Sequence, residues 1–159
     1  MRNTNLDPVD LSILRILQKN GRATINEISN AVRLSPSPVA RPVRLLEEAS
    51  VITGYAALID EVALGYGFSV FVSVKLDKQV DEALAKFEAA ISAFPEVVDC
   101  WLMTGNRDYL LRIATTGLAD FERFLVGRFT KVPGVASIES SIPPRRIKAG
   151  LQMGGFQTL

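Results

Sequence analysis

The sequence predicts an α+β fold in which a helical amino-terminal half is followed by a half that alternates strands with helices. From Val9 to Leu46, apolar residues recur at the three- and four-residue spacing of amphipathic helices. From Phe68 to Leu76 they alternate one by one, which is the period of a strand with one buried face. Gly65-Tyr66-Gly67 separates the two patterns and marks the boundary between the halves.

The first two helices are indicated by their capping residues. Asp7 and Pro8 suit the cap and the first position of a helix that ends at Asn20-Gly21. Thr24 and Glu27 form a capping box that opens the second helix, because the hydroxyl and the carboxylate can each satisfy a free backbone N–H.

A tight turn at residues 34–38 leads into a third helix that carries polar and basic side chains. These side chains are Ser35, Ser37, Arg41 and Arg44. Hydroxyls and N–H groups at a helix amino terminus suit phosphate, and arginine reaches phosphate or a guanine edge. The simpler alternative is that the two serines only cap the helix. Together the four residues favour a helix-turn-helix that binds DNA, assigned to residues 1–53.

Charge supports DNA binding locally, and one proline opposes it. The net charge of the chain is only +1, but between Asp10 and Leu46 six basic side chains stand against two acidic ones. Phosphate contact requires such a local patch. Pro42 lacks the N–H that should bond the Pro38 carbonyl, and an interior proline costs on the order of 3 kcal/mol. We expect either a tolerated kink or weakened base readout.

Two β-prone pieces follow the third helix. They are Val51-Ile52-Thr53 and residues 55–59, and Gly54 separates them. We interpret residues 54–66 as a linker strand, with a wing as the other interpretation of these pieces.

The carboxy-terminal half predicts the order β-α-β-β-α-β. Strands are expected at 68–76, 97–103, 108–115 and 135–142, with one helix ending at Phe94-Pro95 and another at Val132-Pro133-Gly134. This order is the ferredoxin-like arrangement, assigned to residues 67–148. Residues 149–159 carry no charge and are predicted to form a loose tail.

A ferredoxin-like sheet covered by helices on one face leaves its other face apolar. Candidates for that face are Phe71, Cys100 or Trp101, and Leu111 or Arg112. A second copy of the chain usually buries such a face. For Trp101 and Phe71, an ordinary core position is favoured over an interface position.

The turn Thr104-Gly105-Asn106-Arg107-Asp108-Tyr109 is the strongest candidate for a small-molecule site. Gly105 and Asn106 tolerate positive φ, so a hairpin turn alone explains them. The same residues would also suit a zwitterion, with Asp108 meeting an ammonium and free N–H groups meeting a carboxylate.

Composition excludes several classes of function. The chain of 159 residues has one cysteine, Cys100, and no histidine. An intramolecular disulfide is therefore impossible, a zinc cluster is disfavoured, and catalysis would lack its commonest general base. No apolar run approaches the ~18–20 residues of a membrane span. We expect a cytoplasmic protein with no membrane partner, no metal, no cofactor and no enzymatic activity.

Taken together, short motifs along the chain resemble the Lrp/AsnC feast-or-famine transcriptional regulators. The motifs are Leu6-Asp7-Pro8-Val9-Asp10, Ile13-Leu14, Gly21-Arg22, Leu34-Ser35-Pro36-Ser37-Pro38, Leu46-Glu47-Glu48, Val51-Ile52, Gly54-Tyr55, Gly65, Thr104-Gly105, Asp108-Tyr109-Leu110 and Pro133-Gly134-Val135. The resemblance implies a winged helix-turn-helix, followed by an ACT-like (RAM) domain that binds an effector and drives oligomerisation. It also implies homodimers that assemble into octamers or other higher oligomers on double-stranded DNA.

The same resemblance implies where a small effector, commonly an amino acid, would bind between dimers. Thr104, Gly105 and Asp108 match the family's Thr-Gly-x-x-Asp turn. Weaker matches are Met103, Asn106 and Tyr109 beside the turn, and Thr115 and Thr116 on what is expected to be a neighbouring loop.

Departures from the family pattern lie in the DNA-binding half. Arg33 stands where a glycine is usual, which costs backbone freedom if φ is positive but adds a cation near DNA. Pro42 replaces an arginine, Leu45 stands where a basic residue is often found, and Ser50 replaces a glycine. The leading hypothesis is a DNA-binding transcriptional regulator that responds to an amino acid or a related metabolite. The alternative is an oligomeric small-molecule sensor with weak or lost DNA binding.

Overall fold

A computed structural model describes residues 5–148 of the chain. Its elements are α1 (Pro8–Lys19), α2 (Ile25–Val32), α3 (Pro36–Glu48), β1 (Phe68–Leu76), α4 (Asp81–Ser92), β2 (Val97–Leu102), β3 (Tyr109–Thr115), α5 (Leu118–Gly127) and β4 (Val135–Ser141), with a single 3₁₀ turn at Phe129–Lys131. The chain divides into two compact units at the junction between Leu58 and Ile59. The tail predicted at residues 149–159 lies outside the described residues.

The amino-terminal unit is a bundle of three helices around a small apolar core. Its fully buried or nearly buried side chains are Ile13, Ile28, Val39, Val43 and Leu46. The capping signals read from the sequence are confirmed. Asp7 and Asp10 cap α1 reciprocally, and Thr24 and Glu27 do the same for α2.

The carboxy-terminal unit is a four-stranded antiparallel sheet with α4 and α5 on one face, as predicted. The strand order is β2-β3-β1-β4, so the two central strands are β1 and β3. Alternate side chains of these strands, such as Val72 and Leu111, pack against Phe87 of α4 and Phe121 of α5. The opposite face of the sheet is not covered by any described helix of this unit.

The strand predicted within residues 54–66 is wrong for the described chain. Residues 53–60 have no regular secondary structure, and residues 61–65 form a turn. A strand requires a ladder of hydrogen bonds to a neighbour, and no strand within residues 5–148 pairs with this segment. The Asp60 carboxylate instead accepts a hydrogen bond from the Val62 N–H at 2.9 Å and fixes the turn.

No helix within the described range is long and apolar enough to cross a membrane. The described residues also contain no group of three or more His, Cys, Asp or Glu side chains placed to hold a metal ion.

Candidate DNA-binding and effector-binding sites

The turn between α2 and α3 depends on a residue in the left-handed region. Arg33 ends α2 with φ 57° and ψ 42°, and the Leu34 N–H donates to the Ser29 carbonyl at 3.0 Å. Ser50, just after α3, also has a positive φ of 56°. A side chain in this conformation costs roughly 1 kcal/mol relative to glycine. The structure therefore confirms that positive φ is required where Arg33 stands.

The outward face of α3 presents the side chains that the sequence predicts to contact DNA. Ser37, Arg41 and Arg44 are exposed and follow one another at helical spacing, opposite the buried Val39 and Val43. Such an exposed row beside a packed stripe is the geometry of a helix that enters a major groove.

The helix amino terminus adds polar groups to the same end of α3. Ser35 is its N-cap, but the Ser35 side chain makes no capping hydrogen bond, so the capping interpretation of this hydroxyl is not supported. Arg33 and Ser35 are both exposed and precede the helix directly. Arg44 lies 3.5 Å from Glu48, and both side chains are mostly exposed, so the pair leaves Arg44 free to exchange partners.

Pro42 does not interrupt α3. The helix runs from Pro36 to Glu48 without a break, although the Pro38 carbonyl has no N–H partner at Pro42. Pro42 is half-buried and stands beside the buried Val43, whereas the neighbouring Arg41 is exposed. It therefore lies on the flank of the outward row rather than at its centre.

The Asp108 carboxylate is buried and already bonded within the chain. Its Oδ2 accepts a hydrogen bond from the Leu76 N–H at 2.7 Å, and its Oδ1 accepts one from Nε2 of Gln79 at 2.5 Å. The prediction that this carboxylate meets an ammonium is therefore wrong for this conformation. Asp108 instead holds the turn against the end of β1, and no pattern in the sequence pointed to Leu76 or Gln79 as its partners.

The Tyr109 side chain points into the core and not into a binding site. Its ring lies 4.6 Å from that of Phe87, and its hydroxyl donates to Oε1 of Glu88 at 2.7 Å. Burial, and secondarily the bond to Glu88, raise the pKa of Tyr109 well above its usual value. Direct contact of this side chain with an effector is excluded in this conformation. The alternation Tyr109, Leu111, Ile113 was the signal that places it on the helix-covered face.

The remaining residues of the turn are accessible. Met103, Thr104, Gly105 and Asn106 are exposed, and Gly105 has a φ of +119° that a side chain would strain. The turn is closed at its base because the Met103 N–H donates to the Asp108 carbonyl at 2.8 Å. These four residues therefore form a fixed, exposed loop whose polar atoms can meet a ligand.

Thr115 and Thr116 are not brought to this turn within one chain. They lie at the far end of the seven-residue strand β3, roughly 20 Å from Tyr109 at ~3.4 Å per residue. The Thr115 hydroxyl is buried and donates to the Gly117 carbonyl at 3.1 Å, whereas Thr116 is exposed. The expectation that they occupy a neighbouring loop is wrong for a single subunit.

The uncovered sheet face carries one central arginine among aromatic side chains. Arg112 donates to Asp99 of β2 at 2.7 Å and to both carboxylate oxygens of Glu61 in the turn before β1. Phe71 is half-buried on this face, and Trp101 is 45% exposed. The strand registers thereby place Trp101 and Arg112 on the uncovered face, and Cys100 and Leu111 on the other.

Comparison with known proteins agrees with both halves of this geometry. Residues 6–53 match a winged helix-turn-helix DNA-binding model, and residues 69–153 match the Lrp/AsnC ligand binding domain. The chain is 46% identical over 136 residues to the Bkd operon transcriptional regulator of Pseudomonas aeruginosa, covering 86% of the chain and 89% of that protein. It is 38% identical to a leucine-responsive regulatory protein of Rhizobium meliloti, covering 93% and 95%.

Two solved structures show the same similarity in three dimensions. A transcriptional regulator of Neisseria meningitidis in complex with L-methionine superposes with a TM-score of 0.85 at 36% identity, covering 91% of this chain and 93% of that one. An AsnC family transcriptional regulator of Agrobacterium tumefaciens gives a TM-score of 0.84 at 33% identity, covering 90% and 93%.

Proposed function

Because the chain belongs to the Lrp/AsnC family of transcriptional regulators, we propose that α3 enters the major groove of operator DNA and that the Thr104–Asn106 turn receives an amino acid. The protein is a DNA-binding regulator with a domain for a small-molecule effector. We propose in addition which residues contact DNA, which class of effector binds and how the subunits assemble.

The observation that carries the DNA-binding proposal is the exposed row on α3. Ser37, Arg41 and Arg44 project away from the core together, and Arg33 and Ser35 extend the row at the helix amino terminus. Backbone N–H groups at that terminus and the Ser35 hydroxyl suit phosphate oxygens. The two arginines have the length to reach a phosphate or the O6 and N7 atoms of guanine.

The effector proposal starts from what the turn leaves free. Met103, Thr104, Gly105 and Asn106 are exposed, while the buried Asp108 carboxylate fixes the loop from below. A ligand carboxylate can meet the exposed N–H and hydroxyl groups of this loop. The relative from Neisseria meningitidis binds L-methionine, which supports an amino acid as the class of ligand.

We propose that a second subunit completes the site at this turn. Thr116 lies at the other end of β3, so one chain cannot place it beside Thr104. We propose that subunits pair through the uncovered sheet face around Trp101 and Phe71, and that dimers assemble into octamers or another higher oligomer. The effector would bind between dimers, with a different affinity for two alternative packings of those dimers. Its binding would favour one packing and so change the spacing of the DNA-binding units.

The assembly has its own test. Trp101→Asp places a charge at the proposed interface, and sedimentation velocity should then show monomers where the unaltered chain forms dimers or larger species. Leu118→Asp, at an exposed position at the start of α5 on the helix-covered side, is the matched control and should keep the dimer. Dimers that survive Trp101→Asp would rule out this face as the dimer interface.

The proposal places the protein in the cytoplasm, with no cofactor and no catalytic role. The alternative is a sensor with weak or lost DNA binding. It rests on Pro42 and Leu45, which stand on the flank of the α3 row where the family pattern has basic side chains. Because Arg41 and Arg44 keep the outward positions, the regulator is favoured.

A fluorescence-anisotropy titration distinguishes the two functions, with DNA taken from the region upstream of the gene that encodes this protein. The regulator should bind at low salt with sub-micromolar affinity, and at least one of the twenty amino acids should change that affinity several-fold. An intact oligomer that binds no such DNA at low salt would favour the sensor. An amino acid that stabilises the protein but leaves its DNA affinity unchanged would point the same way.

A further inference from the structure

Tyr55 fastens the segment of residues 53–60 to the amino-terminal unit. Its hydroxyl donates to Oε1 of Glu47, near the end of α3, at 2.8 Å. Its ring lies against Gly21, where an added Cβ atom would stand 3.8 Å from Cδ1 of Tyr55. The half-exposed Tyr55 therefore contacts two separate parts of this unit, namely the end of α3 and the loop that follows α1.

The other end of the same segment is held by the carboxy-terminal unit. The turn at residues 61–65 starts from Asp60, whose carbonyl accepts a hydrogen bond from the Leu64 N–H at 3.2 Å. Glu61 follows directly, and its two carboxylate oxygens accept hydrogen bonds from Arg112 at 2.9 and 3.0 Å. The chain is thus anchored on this side from Asp60 onwards.

Residues 56–59 are the part of the segment between the two anchors, and they are exposed and without regular secondary structure. From Tyr55 to Asp60 the chain reaches ~18 Å at most. Without the Tyr55 contacts, the anchor would move back to Ile52, whose N–H donates to the Leu46 carbonyl at 3.0 Å. The tether from Ile52 to Asp60 would then reach ~28 Å. The difference of ~10 Å is the length of about three base pairs of DNA.

We propose that Tyr55 is a positioning residue that restricts the separation of the two DNA-binding units in a dimer, and thereby the half-site spacing that the protein accepts. The inference rests on the proposed binding of α3 to DNA, and Tyr55 itself needs no contact with DNA in this role. The effective concentration of a tethered binding unit falls roughly as the −3/2 power of tether length. Freeing residues 53–55 should therefore lower the affinity for the best-spaced operator about twofold and widen the range of spacings that are bound.

Fluorescence-anisotropy titrations of Tyr55→Ala test the proposal on operators with up to about five base pairs inserted between the half-sites. The unaltered chain should bind its best spacing about tenfold or more tightly than its worst. In Tyr55→Ala this ratio should fall about threefold or more, because a longer tether reaches spacings that the shorter one does not. DNA with a single half-site should bind both proteins equally, since it engages one unit only. Tyr66→Ala, at a half-exposed tyrosine beyond the Glu61 anchor, is the matched control and should keep the ratio.

A second variant lengthens the tether without altering any contact of Tyr55. Gly-Ser-Gly inserted between the exposed Leu58 and Ile59 adds as many residues as the loss of the Tyr55 anchor frees, and it should reproduce the reduced ratio. An unchanged ratio in either variant would overturn the proposal. So would an equal loss of affinity for single half-sites and whole operators in Tyr55→Ala, since Tyr55 would then act on the DNA-binding unit itself. An unaltered chain that binds no operator DNA would instead overturn the proposed function, and this inference with it.

Discussion

The Oδ2 atom of Asp108 accepts a hydrogen bond from the Leu76 backbone N–H at 2.7 Å, which joins the turn before β3 to the last residue of β1. Both residues are buried, so water does not compete for this bond. The contact explains how an acidic side chain can shape the proposed effector-binding turn without itself contacting the effector. Asp108 sets the shape of the loop, and the exposed residues 103–106 are the ones that we propose contact the effector.

Asp108→Ala should therefore destabilise the domain as well as abolish the amino-acid response. Loss of the carboxylate leaves a buried N–H at Leu76 without its partner, at a cost of about 2–3 kcal/mol in the free energy of unfolding. Urea denaturation followed by circular dichroism measures this. Asp77→Ala, at the exposed neighbouring position, should cost under about 0.5 kcal/mol. Equal stabilities of the two variants would refute the positioning role.

The two positive φ angles predict stabilising substitutions in the amino-terminal unit. Arg33→Gly and Ser50→Gly should each raise the free energy of unfolding by about 1 kcal/mol, because glycine adopts the left-handed region without strain. Arg15→Gly, within α1, should lower it by a similar amount. Thermal melts compare the three, and a loss of stability in Arg33→Gly would contradict the assigned backbone conformation. Arg33→Gly should also weaken DNA binding, since it removes a cation.

Substitutions at Pro42 distinguish the effect of the α3 backbone on DNA affinity from the effect of an added charge. Pro42→Ala restores an N–H that can bond the Pro38 carbonyl, so it should stabilise the unit by about 1–3 kcal/mol with little change in DNA affinity. Pro42→Arg adds a flanking cation and should tighten DNA binding as well. If alanine and arginine tighten DNA binding equally, the backbone and not the charge limits affinity. If neither changes it, the helix already absorbs the proline.

Because of Tyr109, we expect the stability of the folded protein to fall at alkaline pH. Burial raises its pKa in the folded state above the ordinary value of about 10 that it has in the unfolded chain. The contribution of Tyr109 to the free energy of unfolding is therefore complete below pH ~10. It is lost as the pH rises above that value, because the phenol then ionises in the unfolded chain more readily than in the folded one. In urea titrations, Tyr109→Phe should be less stable at neutral pH and lose less stability above pH ~10. Parallel pH profiles for the two proteins would show that the phenol is not buried as described.

Sequence periodicity located α1 to α5 and β1 to β4, because these elements bury one face of their own. It also predicted a strand within residues 54–66 that does not form, and it extended α5 to Val132, whereas α5 ends at Gly127. The direction of individual side chains around the turn was not foreseen. Tyr109 continues the buried alternation of Leu111, yet its place beside the turn that matches the family motif favoured a ligand role. The partners of Asp108 could not be foreseen, since Leu76 and Gln79 are distant in sequence and meet it only through the pairing of β1 with β3.

The linker shows a second limit of sequence reasoning. Residues 55–59 have the composition of a strand, but composition does not supply a neighbouring strand. Likewise, Glu61 gave no signal in the sequence, although it binds Arg112 at the centre of the uncovered sheet face. Both features depend on contacts between residues that are distant in the sequence.

The salt dependence of operator binding by Arg41→Gln tests the central claim most directly, namely that the outward face of α3 contacts DNA. Fluorescence anisotropy across a series of salt concentrations gives the slope of log K against log salt, which reports the number of phosphate charges neutralised. We predict weaker binding and a slope reduced by about one per subunit for Arg41→Gln, or a loss of sequence preference if Arg41 contacts a base. The exposed control Lys86→Gln, on α4, should match the unaltered chain. Identical affinity, slope and sequence preference for Arg41→Gln and the unaltered protein would contradict the account.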